Sequence, residues 1–79
     1  MNYQQADRIL SCVMALLQEE RERQGLSLKR LGVISGIHRT TIGQVETGKR
    51  SPSLVLCLRL ADALGLNLAD VLKAALGCE

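Results

Sequence analysis

Aromatic residues are nearly missing from this chain: one tyrosine, no phenylalanine and no tryptophan in 79 residues. Proteins that read RNA or single-stranded DNA stack bases on aromatic rings, so that class is disfavoured. Any core must be built from leucine, isoleucine, valine and alanine, which suits packed helices. Histidine occurs once, and no nucleophile–base constellation forms around it. No His, Cys, Asp or Glu cluster has the spacing of metal ligands. The expectation is a non-enzyme with no catalytic residue, no metal and no cofactor. Apolar runs fall far short of the roughly 20 residues of a membrane span, and no basic stretch leads into an apolar one at the N-terminus. No membrane partner is expected. The three cysteines show no Cys-x-x-Cys spacing, and an odd count without a secretory signal points to reduced thiols in the cytoplasm. Cys12 and Cys57 lie in apolar runs and are expected in the core. Cys78, near the chain end, has no assignable place.

What is present suffices for one small domain over residues 1–79, with no further domain expected. Hydrophobic residues make up 47% of the chain, enough to close one core, though the margin at this size is thin. The net charge of +2 is uninformative, but its distribution is not. Arg21, Arg23, Lys29, Arg30, Arg39, Lys49 and Arg50 share their window with only Glu22 and Glu46. The rest of the chain carries an acidic excess. A basic face on a near-neutral domain is the electrostatic footprint of phosphate binding.

The periodicity predicts five helices. Ala6, Ile9, Leu10, Val13, Leu16 and Leu17 form an apolar stripe on a long first helix, from about Tyr3 to Gln24 and stopped by Gly25. Ser27 caps a second helix over about Leu28 to Ser35. A third, from about Arg39 to Thr47, opens at His38 and ends at Gly48. Ser53 caps a fourth, about Leu54 to Leu64, closed by Gly65. Asn67 caps a fifth that carries Asp70 in its first turn and runs to about Leu76.

The segment from Leu28 to Arg50 has the spacing of a helix-turn-helix. Two helices crossing near a right angle need a small residue where they touch, and Gly32 stands there. The turn needs a residue that accepts positive φ, and Gly36 supplies it. Leu31, Ile34, Ile37, Ile42 and Val45 recur at helical intervals and form the inward face. Arg39, Thr40, Gly43, Gln44 and Thr47 face the other way, polar and short enough to enter a groove.

From Glu20 to Leu72 the chain resembles the Cro/C1-type (XRE) helix-turn-helix domains of phage repressors, Cro proteins and restriction-modification controllers. The residues that carry the likeness are Arg21…Gly25-Leu26-Ser27, Leu31…Ser35-Gly36-Ile37, Thr41-Ile42…Val45-Glu46-Thr47-Gly48-Lys49-Arg50-Ser51-Pro52-Ser53-Leu54, and Leu58-Arg59-Leu60-Ala61-Asp62-Ala63-Leu64-Gly65-Leu66. The resemblance implies an all-α, five-helix lambda-repressor-like fold, here with an extended first helix. It implies an ion pair between Arg21 and Glu46 that ties the first helix to the third and presents Arg21 near a phosphate. Base reading would fall to Arg39, Thr40, Gly43 and Gln44. Arg39 matches guanine O6/N7, or alternatively a phosphate, and Gln44 matches adenine N6/N7. Phosphate contacts would come from Ser27 and Lys29 at the start of the second helix, from His38, and from Lys49 and Arg50 after the third. His38 serves equally well as a plain helix cap. The chain departs from the family at Leu28, where many members carry a glutamine that touches phosphate and braces the first base-reading residue.

The fourth helix is apolar nearly all round, and the fifth carries a further apolar stripe. Val55, Leu56, Leu68, Val71, Leu72, Ala75 and Leu76 are therefore candidates for a homodimer interface, with the first helix as an alternative surface and ordinary core as another reading. The expected function is sequence-specific binding of a double-stranded DNA operator by a cytoplasmic homodimer that regulates transcription, with RNA polymerase as a conceivable further contact. The competing reading is an antitoxin-like module that holds a toxin protein through its apolar surface.

Overall fold

A computed structural model describes residues 1–77, and Cys78 lies outside the described residues. The chain forms α1 (Tyr3–Arg23), α2 (Leu28–Ser35), α3 (Arg39–Glu46), α4 (Leu54–Ala63) and α5 (Leu68–Gly77). Among the described residues no helix is long and apolar enough to cross a membrane.

Each helix begins on a side chain that accepts an orphan backbone N–H. Asn2 and Gln5 form a reciprocal capping box on α1. Ser27 Oγ accepts from Arg30 N at 3.0 Å and Ser53 Oγ from Leu56 N at 3.1 Å. Asn67 Oδ1 accepts from Ala69 N at 2.8 Å. The ends of α1 and α4 close alike. Leu26 N reaches back to Arg21 O and Leu66 N to Ala61 O, the longer bond of a Schellman motif. Leu26 and Leu66 then tuck partly beneath the core. Gln24 joins the two closures, its Nε2 donating both to Glu20 Oε2 and to Leu64 O, each at 2.7 Å.

The core takes Val13, Met14 and Leu17 from α1, Leu31 from α2, Ile37 before α3, and Ile42 and Val45 on it. Cys57, Leu60, Ala61 and Leu64 come from the α4 region, and Leu68, Val71 and Ala75 from α5. Helix α1 runs along α5 and also touches α3 and α4, while α2 packs on α3 and α4. Neither Cys12 nor Cys57 is in a disulfide. Cys57 is buried, which pushes its thiol pKa up. Cys12 is only half-buried, at the edge of the core.

The structure corrects several expectations. Leu68, Val71 and Ala75 are buried within the chain itself, Ala75 completely, so they hold α5 on its own neighbours and are not a free interface surface. Val55, Leu72 and Leu76 are exposed, and Leu56 is half-buried. Leu54 and Leu58 add to the exposed apolar surface of α4. Ile34 points outward at 46% exposure, because Leu31 and Ser35 occupy the inward side of that short helix. Ala6 is exposed too, since the first turns of α1 extend past the core.

Candidate nucleic-acid interface

The turn between α2 and α3 is set by two glycines. Gly36 adopts φ 73° and closes α2 with its N–H on Gly32 O at 2.9 Å. A Cβ on Gly32 would sit 2.8 Å from Ile37 O, closer than real contacts allow, so this position must stay bare for the helices to cross. Ser35 is the buried polar residue of the turn, and its Oγ accepts from Ile37 N at 3.2 Å. His38 caps α3 through Nδ1, which accepts from Thr40 N at 3.1 Å. That leaves only Nε2 of the ring for an outside partner.

Helix α3 is held from beneath by Ile42 and Val45, both essentially inaccessible, and at its end by an ion pair. Arg21 Nε donates to Glu46 Oε2 at 2.8 Å and Nη2 to Glu46 Oε1 at 3.0 Å, a two-bonded fork. Arg21 Nη1 also donates to Leu26 O at 2.7 Å. The two side chains are only 12% and 7% exposed. The carboxylate raises the Arg21 pKa further, against a smaller opposing effect of burial. Three of the five guanidinium N–H groups are thus spent inside the protein, and two are left for a phosphate.

The opposite side of α3 is different. Arg39 and Thr40 are exposed, and Gly43 and Gln44 are half-exposed. Thr47 turns its hydroxyl back onto Gly43 O at 2.9 Å. Beyond α3 the amides of Lys49 and Arg50 both donate to Gln44 O, which fixes the loop and leaves the two cationic side chains in solvent. Lys29 is exposed at the start of α2 beside the Ser27 cap. Among the described residues the side chains of Lys29, Arg39, Gln44, Lys49 and Arg50 make no hydrogen bond or ion pair. The sequence-predicted contact residues therefore divide. Arg21, Ser27 and His38 are engaged in holding the structure, whereas Lys29, Arg39, Gln44, Lys49 and Arg50 keep their side-chain donors unspent.

Two contributors escaped the sequence reading. Arg59 on α4 donates from Nη2 to Gly36 O at 3.3 Å and lies over the turn. Leu28 packs its Cδ1 against the bare backbone of Gly43, 3.5 Å from where a Cβ would stand. Spacing within one helix carries no signal for either contact.

Two short helices at a glycine turn, the second seated from below and polar outside, define a helix-turn-helix domain. A family model described as helix-turn-helix matches residues 17–71. The chain belongs to this family, in its Cro/C1 (XRE) branch of DNA-binding transcription regulators, and its fold is the five-helix lambda-repressor-like one. Over 55 residues it is 36% identical to an uncharacterised HTH-type transcriptional regulator, YgzD, of Bacillus subtilis, covering 70% of this chain and 83% of that one. A second uncharacterised HTH-type transcriptional regulator, from Methanothermobacter thermautotrophicus, is 44% identical over 50 residues, 63% of this chain and 72% of its own. The HTH-type transcriptional regulator PuuR of Escherichia coli is 35% identical over 54 residues; these cover 68% of this chain but only 29% of PuuR. No solved structure matches the chain.

Proposed function

We propose that the protein binds double-stranded DNA of a particular sequence as a homodimer in the cytoplasm and regulates transcription there. The observation that carries this reading is the division of side chains on α3 and its flanks. The helix is fixed by Ile42, Val45 and the Arg21–Glu46 fork, while the side chains of Arg39, Gln44, Lys49 and Arg50 make no hydrogen bond or ion pair among the described residues. Arg39, Thr40 and Gln44 then meet base edges, and Gly43 lets the backbone approach. Lys29, Lys49, Arg50, His38 Nε2 and the α2 N-terminus by Ser27 meet phosphates. Arg21 adds its two remaining N–H groups. The activity is binding, not catalysis.

The homodimer is supported by Leu54, Val55, Leu58, Leu72 and Leu76, which are 67%, 62%, 50%, 37% and 53% exposed. A two-fold axis through such a surface would set half-sites about 34 Å apart on the duplex. The same apolar surface favours a second reading, an antitoxin-like module whose partner is a toxin protein. Selection of bound sequences from random duplexes, paired with sedimentation of the free and bound protein, separates the two. Enrichment of a pseudo-palindrome bound by a dimer supports the regulator. A protein monomeric at high micromolar concentration that enriches no sequence overturns it.

A further inference from the structure

Leu28 stands where sequence-specific recognition would gain an apolar element. It is the first residue of α2, half-buried at the edge of the core, and its Cδ1 lies 3.5 Å from where a Cβ on Gly43 of α3 would stand. By helical spacing Gly43 lies beside Arg39, Thr40 and Thr47, three and four residues away on the same face. It has no side chain, so the Leu28 methyl borders a notch in an otherwise polar surface. Thr47 offers no hydroxyl there, because that group is turned onto Gly43 O. An apolar methyl at a major-groove surface has one complementary feature on DNA, the C5-methyl group of a pyrimidine; the donors and acceptors of other base edges would lose water against it without replacement.

Resting on the DNA-binding reading above, we infer that Leu28, through the Gly43 notch, is a specificity residue that selects a C5-methylated pyrimidine in each half-site. Thymine and 5-methylcytosine supply the same chemistry.

The test starts from the duplex enriched by the full chain. Each thymine is replaced in turn by deoxyuridine, which removes the methyl and leaves the hydrogen-bonding edge intact. One position per half-site is expected to lose about fourfold in affinity, the worth of one buried methyl, roughly 0.8 kcal/mol at 1.4 kcal/mol per decade. At that position 5-methylcytosine should bind better than cytosine by a similar factor. In Leu28→Ala the thymine and deoxyuridine duplexes should bind alike, with Leu28→Gln as the length-preserving check and circular dichroism confirming that each variant folds. The deoxyuridine scan on the unaltered protein needs no variant at all. Enrichment of a duplex with no deoxyuridine-sensitive position overturns this inference alone, as does a sensitivity that persists in both Leu28 variants. Failure to enrich any duplex overturns the DNA-binding reading, and this one with it.

Discussion

Removing either member of the Arg21–Glu46 pair should destabilise the whole fold, and the two losses should differ. An exposed ion pair is worth about 0–1 kcal/mol, whereas stranding one partner of a fully buried pair costs about 3–5 kcal/mol. With 12% and 7% exposure and a two-bonded fork, this pair lies between, nearer the buried limit, at about 2–3 kcal/mol. Unfolding entropy near 2.1 cal/mol/K per residue gives about 0.17 kcal/mol/K for this chain, so the expected fall in Tm is about 12–18 °C. Arg21→Ala should be the worse change. It abandons a buried carboxylate on a short stem and unpairs Leu26 O as well. In Glu46→Ala the arginine keeps Leu26 O and can slide its long side chain toward water. The double variant should be more stable than the two single losses predict when added. Thermal melts followed by far-ultraviolet circular dichroism suit a chain with almost no aromatic signal. If both single variants melt within about 3 °C of the parent, the pair behaves as an exposed one, and the claim that it seats α3 is refuted.

The two glycines of the helix pair should respond oppositely to alanine. Gly43→Ala should stabilise by about 1 kcal/mol through helix propensity, since its Cβ meets only Leu28 Cδ1 at ordinary contact distance, while Gly32→Ala should lower Tm because its Cβ meets Ile37 O at 2.8 Å. Equal effects in the same melts would show that the crossing is looser than described. Glu20 is held at a pKa of about 2, below its ordinary 4.5, by hydrogen bonds from Arg23 and Gln24. A depressed carboxylate stabilises the fold above its ordinary pKa and loses that contribution as pH falls through its folded value. The parent should therefore lose more Tm than Glu20→Gln between about pH 4.5 and 2; parallel curves would contradict this. In DNA binding, Arg39→Ala and Gln44→Ala should each cost about 1–3 kcal/mol at one operator position, whereas Lys49→Ala and Arg50→Ala should weaken all duplexes alike and reduce the salt slope by about one. An Arg39→Ala protein that binds specific and scrambled duplexes equally less well, with a flatter salt slope, would make Arg39 a phosphate contact.

Helix limits were readable because their signals are local. Ser27, Ser53 and Asn67 cap, and Gly25, Gly36 and Gly65 close, where the backbone requires them. The Arg21–Glu46 pairing came from the family resemblance; spacing alone could not join residues so far apart in the chain. Burial on α2, α4 and α5 was harder. A stripe such as Leu68, Val71, Leu72, Ala75 and Leu76 shows that a helix has an apolar side, but its neighbours decide which part is covered. Here α5 packs on α1 and α4; Val71 and Ala75 are buried, and Leu72 and Leu76 stay exposed. Ile34 was misassigned for a related reason: on an eight-residue helix two apolar residues a turn apart from the core line still look periodic. Gln24, Arg59 and Leu28 act across helices, through contacts that no single stretch of sequence encodes.

The separation of seated and unsatisfied side chains on α3 bears on how such a protein can diverge. The side chains of Arg39, Gln44, Lys49 and Arg50 contribute no internal hydrogen bond or ion pair among the described residues, so exchanging them costs the fold little beyond helix propensity. Ile42, Val45, Glu46 and Gly32 have no such freedom. A duplicated copy could acquire a new target by single steps, each intermediate still folded, with no compensating change needed in the helices behind. Leu28 is the exception, because it belongs partly to the core edge and partly to the outward face. Lineages that change it must alter packing and preference together, which makes it the slow coordinate of that divergence.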